Sequence, residues 1–66
     1  MYNVYRYVRY QKMPIPQLVK GFDTVIEAMN YLKRSNLPCA DIINEDTAEV
    51  LVSTDAQGDF LYVAIK

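Results

Sequence analysis

Four carboxylates, Asp41, Glu45, Asp46 and Glu49, fall within nine residues. Acids so close together are the groups that hold divalent cations or relay protons. The run lacks the alternating ligands and central glycine of a calcium loop, so it is expected to be a solvated acidic turn. The other ingredients of catalysis are missing. The chain has no histidine, which removes the commonest general base and the usual activating partner of a serine or cysteine. Ser35 and Ser53 do not lie in glycine-rich turns, and Gly21 and Gly58 are too far apart to build a phosphate-cradling loop. Cys39 has neither a second cysteine for a disulfide nor a histidine for a zinc set. Following a helix, it is expected to be buried and inert. The expectation is a chain without catalysis, metal or cofactor.

The second concentration of useful residues is YNVYRYVRY, which places four tyrosines and two arginines between Tyr2 and Tyr10. Aromatic residues interleaved with arginine can stack single-stranded bases, and they also populate the centres of protein interfaces. The charges are polarised along the chain. Arg6, Arg9, Lys12 and Lys20 precede Phe22 with no acid among them, whereas Asp41, Glu45, Asp46, Glu49, Asp55 and Asp59 follow Ser35, offset by Lys66. A basic strand beside acidic ones in one sheet accounts for that asymmetry. The run also lacks the glycine of an RNA-recognition strand, and a pI near 5.1 disfavours a strong phosphate footprint.

The elements that position these groups must form one domain, 1–66, because 66 residues leave no room for two. No apolar run approaches a membrane span, the first residues do not resemble a signal peptide, and a cytoplasmic location is expected. Tyrosine and valine make residues 2–10 a strand. Pro14 and Pro16 make QKMPIP an extended loop or a turn into a short edge strand over residues 17–21. FDTVIEAMNYLKRSNLP is the clearest helix. Thr24 and Glu27 have capping-box spacing, and Phe22, Val25, Ile26, Met29 and Leu32 form one apolar stripe. Lys33 and Arg34 suit the last turn, Asn36 can take the left-handed stop, and Pro38 forbids continuation. CADIIN, AEVLVST and FLYVAIK read as three further strands, with Gly58 in the last turn. The expected fold is α+β: one amphipathic helix on a mainly antiparallel four-stranded sheet, in the order β-α-β-β-β.

One helix covers one sheet face. Tyr5 and Tyr7 are expected beneath it, because the alternate set would bury Arg6 in mid-strand. The last strand, apolar on both faces, is expected at the centre of the sheet. The open face would then carry Tyr2, Arg6, Tyr10, Leu51, Phe60 and Tyr62, more apolar area than a small monomer leaves wet. The expected function is a non-catalytic protein-interaction or assembly module that associates through this face, most simply as a homodimer or else with another protein. The alternative is a weak binder of single-stranded nucleic acid using Arg6, Arg9, Lys12 and Lys20.

Overall fold

A computed structural model describes residues 1–64; Ile65 and Lys66, and the side chains of Arg9 and Tyr10, lie outside that description. The chain is an α+β fold with one helix packed on a five-stranded antiparallel sheet. Its elements run β1 (Tyr2–Tyr10), β2 (Met13–Phe22), α1 (Val25–Ser35), β3 (Ala40–Asn44), β4 (Val50–Thr54) and β5 (Phe60–Val63), and the sheet order is β2-β1-β3-β4-β5. The expected short strand at 17–21 is part of a strand twice as long. β1 therefore has neighbours on both sides, and β5, expected at the centre, is an edge.

The long hairpin turns through Gln11 and Lys12, whose φ values are 49° and 69°. Two consecutive left-handed residues make a two-residue turn that suits the twist of the flanking strands. Neither residue is the asparagine or glycine that normally signals such a turn, which is why residues 11–16 read as a loop. Tyr10 and Met13 flank the turn, and the register continues through Arg9↔Pro14, Val8↔Ile15 and Tyr7↔Pro16. Hydrogen-bonded and non-bonded pairs alternate along an antiparallel ladder, starting from a bonded pair at a two-residue turn. Pro14 and Pro16 thus occupy non-bonded positions with their nitrogens facing outward, so they break no bond to β1. They also remove two donors from the outer rim of β2, which blunts that edge against a further strand.

The helix forms as its sequence dictates. The Thr24 Oγ1 accepts from the Glu27 N–H at 3.2 Å, and its hydroxyl donates to the Glu27 carboxylate. At the other end Asn36 adopts φ 51° and donates its N–H to the Leu32 carbonyl at 2.9 Å. The buried stripe is narrower than expected, with Ala28 and Leu32 fully covered, Val25 and Met29 partly so, and Ile26 left 61% exposed. Alanine at position 28 lets the helix approach the sheet closely. The helix packs over β1, β2 and β3, and the end of β5 lies beyond it, with Leu61 and Val63 exposed.

Beneath the helix lie Val4, Ala40, Ile42 and Val52, each with no exposed surface. Val4, Ile42, Val52 and Val63 form one row across four strands. This reverses the expected faces of β1, since Tyr2 and Val4 lie on the helix side and Tyr5 and Tyr7 on the open side. Burying Arg6 was the objection to this arrangement, and the structure avoids it. Arg6 is exposed near the rim and donates to the Gln17 Oε1 at 3.4 Å. Thr54, 5% exposed, is bonded on both counts: its Oγ1 accepts from the Ala40 N–H at 2.9 Å and donates to the Leu37 carbonyl at 2.8 Å.

Candidate functional site

Among the described residues two surfaces remain unpartnered, the sheet face opposite the helix and the outer rim of β5. On the open face the register aligns Leu18, Tyr5, Asp41, Ser53 and Tyr62 in a single row across all five strands. Asp41 sits at its centre because ADIIN alternates, with Ala40 and Ile42 under the helix and Asp41 and Ile43 on the other side. Both carboxylate oxygens are engaged. The Tyr7 hydroxyl donates to Oδ2 at 2.7 Å, and the Ser53 hydroxyl donates to Oδ1 at 2.6 Å.

The hydrogen bond to Asp41 raises the Tyr7 pKa above its ordinary value of 10.0, with desolvation and the carboxylate's negative charge acting in the same direction. A phenol that holds its proton longer in the folded than in the unfolded chain contributes its full stabilisation below the ordinary value. That contribution is lost as pH rises through the raised one. Tyr7→Phe is accordingly expected to flatten the alkaline decline in stability that sets in near pH 10.0, read from urea unfolding midpoints at several pH values. An unchanged slope would show that the bond does not form in solution.

The second surface follows from β5. Ala64 donates its N–H to the Leu51 carbonyl at 2.8 Å, in register with the pairs Val52↔Val63 and Ser53↔Tyr62. Alternation then makes Tyr62 a bonded partner of β4 and turns the N–H and C=O of Val63 outward, while the register shift at Leu61 interrupts the alternation there. The side chains are as open as the backbone: Leu61 is 71% exposed, Tyr62 51% and Val63 47%. Val63 is on the helix side, as its alternation implies, but beyond the reach of the helix. A register shift between Ser53 and Thr54 places Phe60 opposite Thr54 on the helix side, where Lys33 Nζ lies 5.8 Å from its ring centre.

The residues expected to share an interface are therefore divided. Tyr62 alone among them is exposed on the open face. Tyr2, Leu51 and Phe60 pack against the core, Arg6 projects on the helix side, and the Tyr10 side chain lies outside the described residues. The basic set is divided as well. Lys20 lies on the helix side with its Nζ 5.4 Å from the Phe22 ring centre, Lys12 is at the hairpin tip, and the Arg9 side chain is outside the description. Tyr5 and Tyr7 face the other way from Arg6 and Lys20, so those two rings and those two cations do not share one face.

Cys39 is exposed, with φ 50°, rather than buried. The acidic turn is held by local bonds, among them the Asp46 N–H to Asn44 Oδ1 at 2.9 Å. Among the described residues no group of three His, Cys, Asp or Glu side chains has the geometry to hold a metal ion, and no helix is long and apolar enough to cross a membrane. From sequence Asp41 reads as part of a solvated acidic turn, Ser53 as a serine without a catalytic setting and Tyr7 as a core residue, so their meeting was not expected. The polar centre of ADIIN was a usable signal, but its partners come from strands distant in the chain. No protein family, curated protein or solved structure matches the chain, so the meaning of these two surfaces rests on their own geometry.

Proposed function

We propose that this chain is a non-catalytic assembly module that associates with a second copy through β5, joining the two sheets edge to edge. The carrying observation is the contrast between the rims. β2 is capped by outward-facing prolines, whereas β5 presents Leu61, Tyr62 and Val63 with neither proline nor charge in the strand. An apolar edge of this kind is a template for another strand, and soluble proteins ordinarily guard against it.

The occupant is argued from the strand itself. A twofold axis through Val63 pairs it with its own copy and uses the outward N–H and C=O groups of both. The two Val63 side chains then cover one another on the helix side. On the open face each Tyr62 lies diagonal to its copy across the axis, within reach of an aromatic contact. Twofold self-pairing is also the commonest oligomer geometry, and it supplies a small domain with the core it otherwise lacks.

Val63→Pro tests this with little disturbance of the monomer, because the deleted N–H faces away from β4. The wild-type chain is expected to scatter light with twice the chain mass, and the variant with the single mass, at comparable melting temperatures. A wild-type monomer at all accessible concentrations, or a variant that remains dimeric, would overturn the proposal.

A further inference from the structure

On the open face, we infer that Asp41 and its row form a recognition site for an arginine side chain of a partner protein. The inference goes beyond the edge pairing and stands without it, since the site lies on the face and not on the rim.

The central charge of this row is one that no cation among the described residues compensates. Asp41 accepts hydrogen bonds from two neutral hydroxyls. The one ion pair among the described residues joins the chain's first amino group to Asp46. A carboxylate has about four acceptor sites. Tyr7 and Ser53 occupy one on each oxygen, which leaves one free on each. Two adjacent acceptors on one planar group are what the fork of a guanidinium engages. The two hydroxyl bonds also hold the carboxylate in one orientation before any partner arrives, which lowers the ordering cost of binding.

The surroundings favour arginine over lysine. Tyr5 is directly opposite Asp41 on β1, and Tyr7 reaches it from the next position on the same face. Their rings offer flat surfaces on which a guanidinium plane stacks, while a compact, strongly hydrated ammonium gains less. Ile43 and Leu18 extend the same face with apolar surface for the aliphatic stem. A partly buried setting strengthens an ion pair relative to one in open water, and Asp41 is half-buried.

The test is a titration of the full chain with a capped glycine pentapeptide carrying one central arginine, followed by backbone amide shifts in NMR. It is run in the wild type and in Val63→Pro, so that failure of the edge pairing does not move the result. Saturable shifts at Tyr5, Asp41 and Ser53 are expected. Affinity should fall by about tenfold in Asp41→Asn, a loss of one decade in Kd, and should weaken with added salt. The lysine peptide is expected to bind several-fold more weakly. Tyr5→Leu, which leaves the carboxylate and its two hydroxyl donors in place, should lose much of the preference for arginine over lysine. Thermal melting of both variants establishes that they are folded. No saturable shift in the wild type, equal affinity in Asp41→Asn, or equal affinity for lysine would each overturn the inference.

Discussion

Val4→Asp is expected to abolish the fold, while Tyr5→Ser, one residue further along the same strand, leaves it intact. Val4 has no exposed surface and lies beneath the helix in the row with Ile42 and Val52. Lys20 is its cross-strand partner on β2, but that ammonium is held over the Phe22 ring at the surface, and a buried carboxylate left without a partner costs several kcal/mol or forces its own neutralisation. A domain of this length has roughly 3–10 kcal/mol of stability in total. Tyr5 lies on the open face, half-buried, and shortening it is expected to cost about 1 kcal/mol. Far-UV circular dichroism and urea unfolding of the two variants give the comparison. If Tyr5→Ser unfolds and Val4→Asp does not, the faces of β1 are the reverse of those described.

The second large effect is expected at Gly58. This residue has φ +86°, and a Cβ added to it would lie 2.5 Å from the Asn36 carbonyl oxygen and 2.7 Å from the Asn36 side-chain oxygen. Asn36 is itself the left-handed stop of the helix, so the loop between β4 and β5 is seated directly on the helix terminus. The loop cannot easily move away. Asp55 accepts from the Gly58 N–H and the Cys39 N–H through its carbonyl, and from the Gln57 and Asp59 N–H groups through its carboxylate. Gly58→Ala is therefore expected to cost about 3 kcal/mol, summing left-handed strain and the displaced backbone. At about 4–8 °C per kcal/mol for a domain of this size, melting should fall by more than about 12 °C. Gly21→Ala is the control. Its nearest neighbour is the Met1 sulfur at 2.8 Å, the end of a flexible side chain, although Asn3 Oδ1 lies at 2.9 Å. A loss of about 1 kcal/mol is expected there. Equal losses at the two glycines would show that the loop does not rest on the helix.

The helix was legible because its signals are local. Thr24, Glu27, Asn36 and Pro38 act within one or two turns, and the structure starts and stops the helix at those residues. The hairpin was not, because Gln11 and Lys12 carry no turn signature and Pro14 and Pro16 normally argue against a strand. Both prolines are accommodated because β2 is an edge with their nitrogens outward, and edge position is a property of the assembled sheet. The faces of β1 were misread for a related reason: Arg6 was judged as though the helix covered the whole strand, whereas the helix reaches only part of it. Phe60 was assigned by simple alternation, which the register shift in β4 and β5 interrupts. The Asp41 row depends on four strand pairings, one of which joins β1 to β3 across the intervening β2 and helix, so local pattern alone cannot assemble it. The position of β5 is the most informative difference. Two apolar faces argued for the centre of the sheet, and in the single chain that strand is an edge. In the proposed dimer it becomes central.

Amide hydrogen exchange at Tyr62 and Val63, compared between dilute and concentrated protein, tests that proposal most directly. The Tyr62 N–H bonds to β4 within the chain and should be protected at both concentrations. The Val63 N–H faces outward, so it is expected to exchange freely in the dilute monomer and to become protected as the dimer forms. Free exchange at Val63 at every concentration, beside a protected Tyr62, would contradict pairing through this edge.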